Sequence, residues 1–471
     1  MLLEPQRRIL FAFLLATNFV YFASSAYITC SNDGSHFALV SALVEQGTVK
    51  INDFMQYAMM FDYAYKDGEY YSDRTPGTAF LSVPFYAFGK LLRETGLGSY
   101  LSSHQNICEV FVIFLPNIAG TLVVLLMFKL CQFFRFDFKT SLISSFIFAF
   151  ATLSWFESTR LFSHAVSMAA VLGTVYLVVV MKKFDSSHRG HIIGISALLS
   201  LASIIEIQNI LLVPAFLLYL LLSRKVNIKD ILKEEVRVPL LLAMVLFISI
   251  YSSLLVYNYV AFDELTIKSN MYNPRFPEER SFFTSLSGDF HVGLDRLFTN
   301  LLNSEVIFDW SKGVCNDAPG LLVTSPILVL SLMGFYYLFK SDRDEAVLFL
   351  VLILTEVVVV AFHTTVLTRH ISTILPYLFF PLGFVIEKSF KHMKAAGASR
   401  IRRHSLFLLV SVLSLISAAR VFYVMNMFWR RSLSSPFMFV QEIPSYVFFY
   451  GSLSIVYLVL KTLSTRIRLR S

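Results

Sequence analysis

The chain has 471 residues, of which 56% are hydrophobic and 15% charged, and its mean hydropathy is +0.64. A soluble protein of this size carries nearer a quarter charged residues, so the composition excludes a soluble globular enzyme. The net charge of +8 is spread through short segments between apolar runs, which excludes a single basic patch for nucleic acid and reads as a topology signal.

Apolar runs of about 17–25 residues recur from end to end, the length that spans a bilayer as helix. The alternation of a membrane β-barrel is absent, so the expected class is an all-α polytopic membrane protein. The first run, residues 9–29, is too long for a signal-peptide core and is expected to be a retained anchor. Basic segments at 7–8, 129–139, 182–189, 224–237, 340–343, 388–403 and 461–470 hold 25 of the 40 Lys and Arg residues. Placing all of them inside predicts spans near 9–29, 107–130, 140–156, 163–181, 191–206, 208–223, 238–260, 320–339, 346–362, 371–387, 404–424 and 443–460. That makes twelve crossings of one integral membrane domain covering 1–471, with both termini cytoplasmic.

Between the first two spans lies a polar first outer loop, 30–77. It opens with Ser31-Asn32-Asp33-Gly34-Ser35-His36 and closes with Tyr71-Ser72-Asp73-Arg74-Thr75-Pro76-Gly77. Phe37, Leu39, Val40, Leu43 and Val44 follow Asp33 at roughly helical spacing, which predicts an amphipathic interfacial helix with Asp33 near its N-terminus. The plain alternative for Asp33 is an N-cap. Capping does not explain why the loop also gathers Asp53, Asp62, Asp67, Glu69 and Asp73. Arg74 carries a planar fork of donors suited to phosphate, although it could simply pair with Asp73. The next segment, 78–92, is read as a short or re-entrant helix on the outer side, because a full crossing, the thirteenth, would invert everything after it.

Further along, Glu157, Arg160 and His164 are spaced three and four residues apart, as on one face at a helix start. Glu206 ends the fifth span. Glu356 lies within an apolar span, where a carboxylate is costly and either functional or protonated and packed. Arg369 opens a later span and is a further candidate phosphate contact. A second large outer loop, 261–318, has Tyr272, Asp289 and Trp310 as candidates to line an acceptor. Cys30 and Cys315 both fall outside and are candidates to pair, and none of the four cysteines has metal-ligand spacing. No phosphate-loop glycine motif, zincin helix or nucleophile elbow is present.

An aspartate just after the first span resembles the GT-C glycosyltransferases that use polyprenyl-phosphate sugars, among them the protein O-mannosyltransferases and the bacterial transferases that add aminoarabinose to lipid A. Bacterial members carry an acidic-basic-Pro-Pro stretch later in the first loop. Asp73-Arg74-Thr75-Pro76 is similar, with Arg for Lys and Thr for the first Pro. Tyr71-Ser72 before it, Phe162-Ser163-His164, the run Gly320 to Pro326 and Thr368-Arg369-His370 resemble later motifs of uncharacterised members.

The resemblance implies a transferase moving a sugar from a polyprenyl-phosphate donor to an acceptor hydroxyl of a glycan, lipid or protein, with inversion, at the outer face of the cytoplasmic membrane. It implies Asp33 as the catalytic base and Arg74, Arg369 and Arg160 as contacts to the donor phosphate, with Asp73, His164, Glu206 and Tyr71 in support. No metal or other cofactor is required by that logic. The rival expectation is a transporter or flippase for a lipid-linked or anionic substrate. A transporter favours mid-membrane polar sites and internal repeats. Here no repeat is evident, and the polar residues crowd one face.

Overall fold

The computed structural model describes residues 2–25, 27–96, 106–183, 189–222, 234–275, 295, 297–298, 301–302, 320–361, 368–394 and 400–432. Within these, the side chains of 183, 189, 221–222, 234–236, 360–361, 368–370, 392–394, 400–404 and 426–432 are not described. The described chain is helical apart from one two-stranded hairpin, β1 (Ala64–Lys66) with β2 (Glu69–Tyr71), paired antiparallel with Ala64 opposite Tyr71. Asp67 and Gly68 turn the hairpin with positive φ of 51° and 86°, the left-handed backbone that a two-residue hairpin turn requires.

Five helices among the described residues are long and apolar enough to cross a membrane: Ile107–Phe133, Ser163–Lys182, Arg237–Phe262, Ile371–Lys391 and Ser405–Met425. Four shorter apolar helices, Phe138–Phe150, Gly190–Ile205, Ile207–Leu220 and Pro326–Ser341, accompany them. With α1 (Glu4–Ala23) and the helix Arg343–Ala361, helices lie on every expected span except 443–460, which falls outside the described residues.

Burial sorts these helices by role. The helix Ser163–Lys182 is enclosed on all sides, whereas Arg237–Phe262 turns Leu241, Val245, Ile248 and Val256 outward. On α1, Phe11, Leu15 and Phe19 are exposed four residues apart and form one apolar stripe, while Phe13, Val20 and Tyr21 face the core. In water such surfaces would be a liability; in hydrocarbon they cost nothing.

Two expected boundaries shift. The first helix ends at Ala23 rather than 29, where the hydroxyls of Ser24 and Ser25 bond back to the carbonyls of Val20 and Tyr21. The third stops at Phe150 rather than 156. There Thr152 bonds the Phe148 carbonyl, and a separate turn of helix, Ser154–Glu157, follows.

Residues 31–94 build the block that carries the candidate site. Helix α2 (Ser31–Gln46) and helix α3 (Gly77–Glu94) lie side by side. Phe37 meets Tyr86, with ring centroids 5.6 Å apart, and about two turns on Glu45 binds Arg93 at 2.5 Å and Lys90 at 3.2 Å, so the two helices run parallel. The segment expected as a short or re-entrant piece over 78–92 is one continuous 18-residue helix, and Pro84 does not interrupt it. Helix α2 is not half-exposed as an interfacial helix would be. Every residue from Ser31 to Ala42 is buried, because α3 packs along it and the turn Met55–Ala58 closes over it. Gly34 makes that closure possible: a Cβ there would lie 1.8 Å from the Tyr57 carbonyl oxygen.

Candidate functional site

Asp33 is the third residue of α2 and is fully buried. Its Oδ1 accepts from the Cys30 amide at 2.9 Å, and its Oδ2 from the Thr29 amide at 3.1 Å and the Thr29 hydroxyl at 3.4 Å. The capping role foreseen as the plain alternative is therefore real. The same geometry aims a second group at the carboxylate, since Arg160 donates from Nη1 to the Thr29 hydroxyl at 2.7 Å. Burial pushes the Asp33 carboxyl up to about 6, against the charge of Arg160 and the amides of Thr29, Cys30 and Gly34. Such a value suits a group that must take a proton near neutrality.

A second cluster contacts α2 through Ser31 and Ser35, two residues on either side of Asp33. Arg74 binds Asp62 at 2.7 Å and Asp73 at 3.4 Å. Ser31 donates to Asp62 at 2.7 Å, Ser35 lies 2.8 Å from Ser72, and Asn273 donates to Asp73 at 2.9 Å. Burial pushes Asp73 up to about 6, with Arg74 opposing and Asp62 adding to the rise. The expected pairing of Arg74 with Asp73 is present, and Asp62 is an additional partner that its isolated place in the sequence does not reveal. Gly77 lets this segment approach the end of the helix before Glu206, for a Cβ there would meet the Ile204 carbonyl oxygen at 2.5 Å.

The third group is the pair His164–Glu206, with Nδ1 2.5 Å from Oε1 and both side chains buried. Ser163 also donates to Glu206, at 2.7 Å. Glu157, Arg160 and His164 do not share one helical face. The turn Ser154–Glu157 ends at Glu157, and a new helix starts only at Ser163. The Thr159 hydroxyl bonds the Phe156 carbonyl within the break. Arg160 lies instead over the Phe156 ring, 4.7 Å from its centroid.

Tyr71 is buried but packs edge-on against Phe262 at 5.3 Å, and its neighbour Ser72 reaches the cluster in its place. Arg369 lies in the turn Thr368–Ile374, and its side chain is outside the description. Cys30 is disulfide-bonded, while its expected partner Cys315 falls outside the described residues, as do Asp289 and Trp310. Tyr272 stacks on Phe262 at 4.2 Å.

His36 was not foreseen, yet it joins the groups. It is buried one turn after Asp33, and its Nδ1 has no hydrogen-bond partner among the described residues. Burial pushes it down to about 3, helped by the charges of Arg74 and His164 and opposed by Asp62 and Glu206. It therefore lies within electrostatic reach of all four and stays neutral. The sequence signal was its place three residues beyond Asp33 on the same face. Among the described residues, no three His, Cys, Asp or Glu side chains come close enough to hold a metal ion.

No family model matches the sequence, and no curated protein matches it. Solved structures do. ArnT from Cupriavidus metallidurans in the apo state superposes with a TM-score of 0.54 at 12% identity, over 90% of this chain and 76% of that one. The same protein bound to undecaprenyl phosphate gives 0.53 at 12% identity, over 97% and 77%. The archaeal oligosaccharyltransferase AglB from Archaeoglobus fulgidus, in complex with an inhibitory peptide and a dolichol-phosphate, gives 0.50 at 12% identity, over 91% and 56%. The chain shares the fold of these proteins. Asp33 and the Arg74 cluster lie in the block of residues 31–94, whereas Arg160, His164 and Glu206 come from later in the chain.

Proposed function

We propose that the chain is an inverting glycosyltransferase that moves a sugar from a polyprenyl-phosphate donor to an acceptor hydroxyl at the outer face of the cytoplasmic membrane. The observation that carries this reading is the buried Asp33, joined through Thr29 to Arg160 and flanked on α2 by Ser31 and Ser35, which contact the Arg74 cluster, on the fold of transferases solved with lipid phosphates. The parallel packing of α2 and α3 supports placing both on the outer side of a single twelve-crossing membrane domain. Helix α2 is short and carries Asp33, His36 and Glu45, and α3 lies beside it in the same direction.

In the proposed reaction Asp33 takes the proton of the acceptor hydroxyl as that oxygen bonds to the anomeric carbon. The bond from that carbon to the phosphate oxygen breaks, its electron pair leaves on the lipid phosphate, and the configuration inverts. Arg74, with Arg160 and Arg369, meets the charge that develops on the phosphate. The leaving group is a phosphate monoester that needs little protonation, so the scheme calls for no cofactor. The partners are the lipid-linked sugar, the surrounding membrane lipid and a glycan, lipid or protein acceptor.

The test is release of free polyprenyl phosphate by purified protein offered a panel of polyprenyl-phosphate sugars with candidate acceptors. Release by the wild type that falls in Arg74→Ala by about 100-fold or more is the expected result. Absence of release from every donor sinks the transferase reading.

A further inference from the structure

Beyond Asp33 and Arg74, several buried polar groups converge that the transfer step does not use. Glu356 sits in the helix Arg343–Ala361 at 3% exposure, and Tyr377 in the helix Leu375–Lys394 at 2%. The Oε2 of Glu356, the hydroxyl of Tyr377 and the Nδ1 of His36 are all buried without a hydrogen-bond partner among the described residues. They are not scattered. Glu356 lies within electrostatic reach of Glu206, His164 and Tyr377, and His36 within reach of His164 and Glu206. The turn Thr368–Ile374 packs against the helices that carry His164, Glu356 and Tyr377 and ties them together.

An unsatisfied buried polar atom costs about 1–3 kcal/mol. Three such atoms, two within electrostatic reach of one buried ion pair and the third within reach of Glu356, are a poor way to build a scaffold. They are well suited to a ligand rich in hydroxyls. Glu356 and His36 accept from hydroxyls, and Tyr377 donates to them or accepts from them. The charges also select. An acidic ligand entering here meets the Glu206 carboxylate, and Arg74, which borders His36, is held between Asp62 and Asp73.

We infer that His36, the His164–Glu206 pair, Glu356 and Tyr377 form a subsite for a sugar ring that carries no acidic group. The inference deepens the transferase reading and rests on it for the source of the ring, which is the donor's sugar or the acceptor's.

Binding rather than turnover tests it. The wild type, Glu356→Met and Tyr377→Phe, two substitutions that remove the polar atoms at nearly unchanged volume, are titrated with bare polyprenyl phosphate, with the same lipid bearing a neutral hexose, and with the lipid bearing a uronic acid. A methyl hexoside added over bare polyprenyl phosphate probes the acceptor side. For a donor subsite, the wild type binds the hexose lipid about tenfold more tightly than the uronic lipid, and each variant loses about tenfold on the hexose lipid, the worth of one hydrogen bond. Both variants keep the wild-type affinity for bare polyprenyl phosphate. For an acceptor subsite, the loss appears with the methyl hexoside and not with the donor. Variants that bind all probes as the wild type does, or a wild type that binds uronic and hexose probes equally, overturn the subsite. Failure of the wild type to release polyprenyl phosphate would sink the transferase reading separately, since these affinities are read without turnover.

Discussion

The helix Ser163–Lys183 carries a polar network at each end, and the two are built differently. At its far end Lys182 binds Asp344 at 2.8 Å and Glu345 at 2.9 Å, Tyr219 donates to Glu345 at 2.9 Å, and Lys182 lies over the Tyr219 ring. That network joins three helices and closes on itself. At the near end His164 holds Glu206, but Glu356 and His36, within electrostatic reach of that pair, and Tyr377 beside Glu356 keep polar atoms unpartnered among the described residues. A closed network positions helices, whereas an open one pays a desolvation cost that only a ligand recovers. Mutating the two ends should accordingly separate stability from activity.

The largest effect is expected at Asp33. In Asp33→Asn the amide oxygen still accepts from the Cys30 amide, so the start of α2 survives, but the base is gone. Turnover should fall by about 100- to 10,000-fold, well beyond the effect of losing about 1–3 kcal/mol of stability where the Asn amide faces the Thr29 donors. A variant that keeps its turnover removes Asp33 from the chemistry and leaves it an N-cap. Gly34→Ala, next to it, should do the opposite. Its Cβ would lie 1.8 Å from backbone, α2 must part from Met55–Ala58, and stability should drop by about 1–3 kcal/mol with activity lost as a consequence. An unchanged Tm would mean that the close approach is not what holds the two segments.

At the closed end Lys182→Met leaves Glu345 buried without its cation. It should cost about 1–3 kcal/mol of stability while turnover per folded molecule stays near the wild-type value. Turnover lost in step with that of Asp33→Asn would show that the two ends are coupled, and the contrast drawn above would fail.

How far the sequence carried the argument differs between these regions. Apolar run length located the helices, because spanning a bilayer demands it. The carboxylates of the first loop and the Pro76-Gly77 break pointed to the block with Asp33 and Arg74. Hydroxyl side chains were the hidden variable. Ser24, Ser25, Thr152 and Thr159 bond back to carbonyls and accompany the early helix ends, and that local competition is invisible to a count of apolar residues. It also separated Glu157 from His164, which spacing alone had placed on one face. Asp62 and Asn273 were illegible for another reason. Their partners are Arg74 and Asp73, contacts that depend on tertiary packing. Tyr71 has the right sequence position and the wrong direction, since β2 turns it toward Phe262.

Acidification should sharpen the contrast most gently, and its two readouts run in opposite directions. Burial raises the folded-state value of Asp33 from 3.8 to about 6. A base must be ionised, so turnover should fall about tenfold between pH 7 and pH 5, the ionised fraction at each pH setting the rate. Stability takes the other sign. Between pH 3.8 and about 6 the folded chain holds a proton at Asp33 that the unfolded chain has lost. Stability therefore falls as pH rises through that window and levels off above it. Asp73, raised to about 6 as well, adds to the same slope. Tm should thus be higher at pH 5 than at pH 7 while turnover is lower, and Asp33→Asn should reduce the stability slope without abolishing it. A Tm that rises with pH across this range would mean that Asp33 and Asp73 are held as anions by their partners, and the assignment of Asp33 as a base poised near neutrality would go with it.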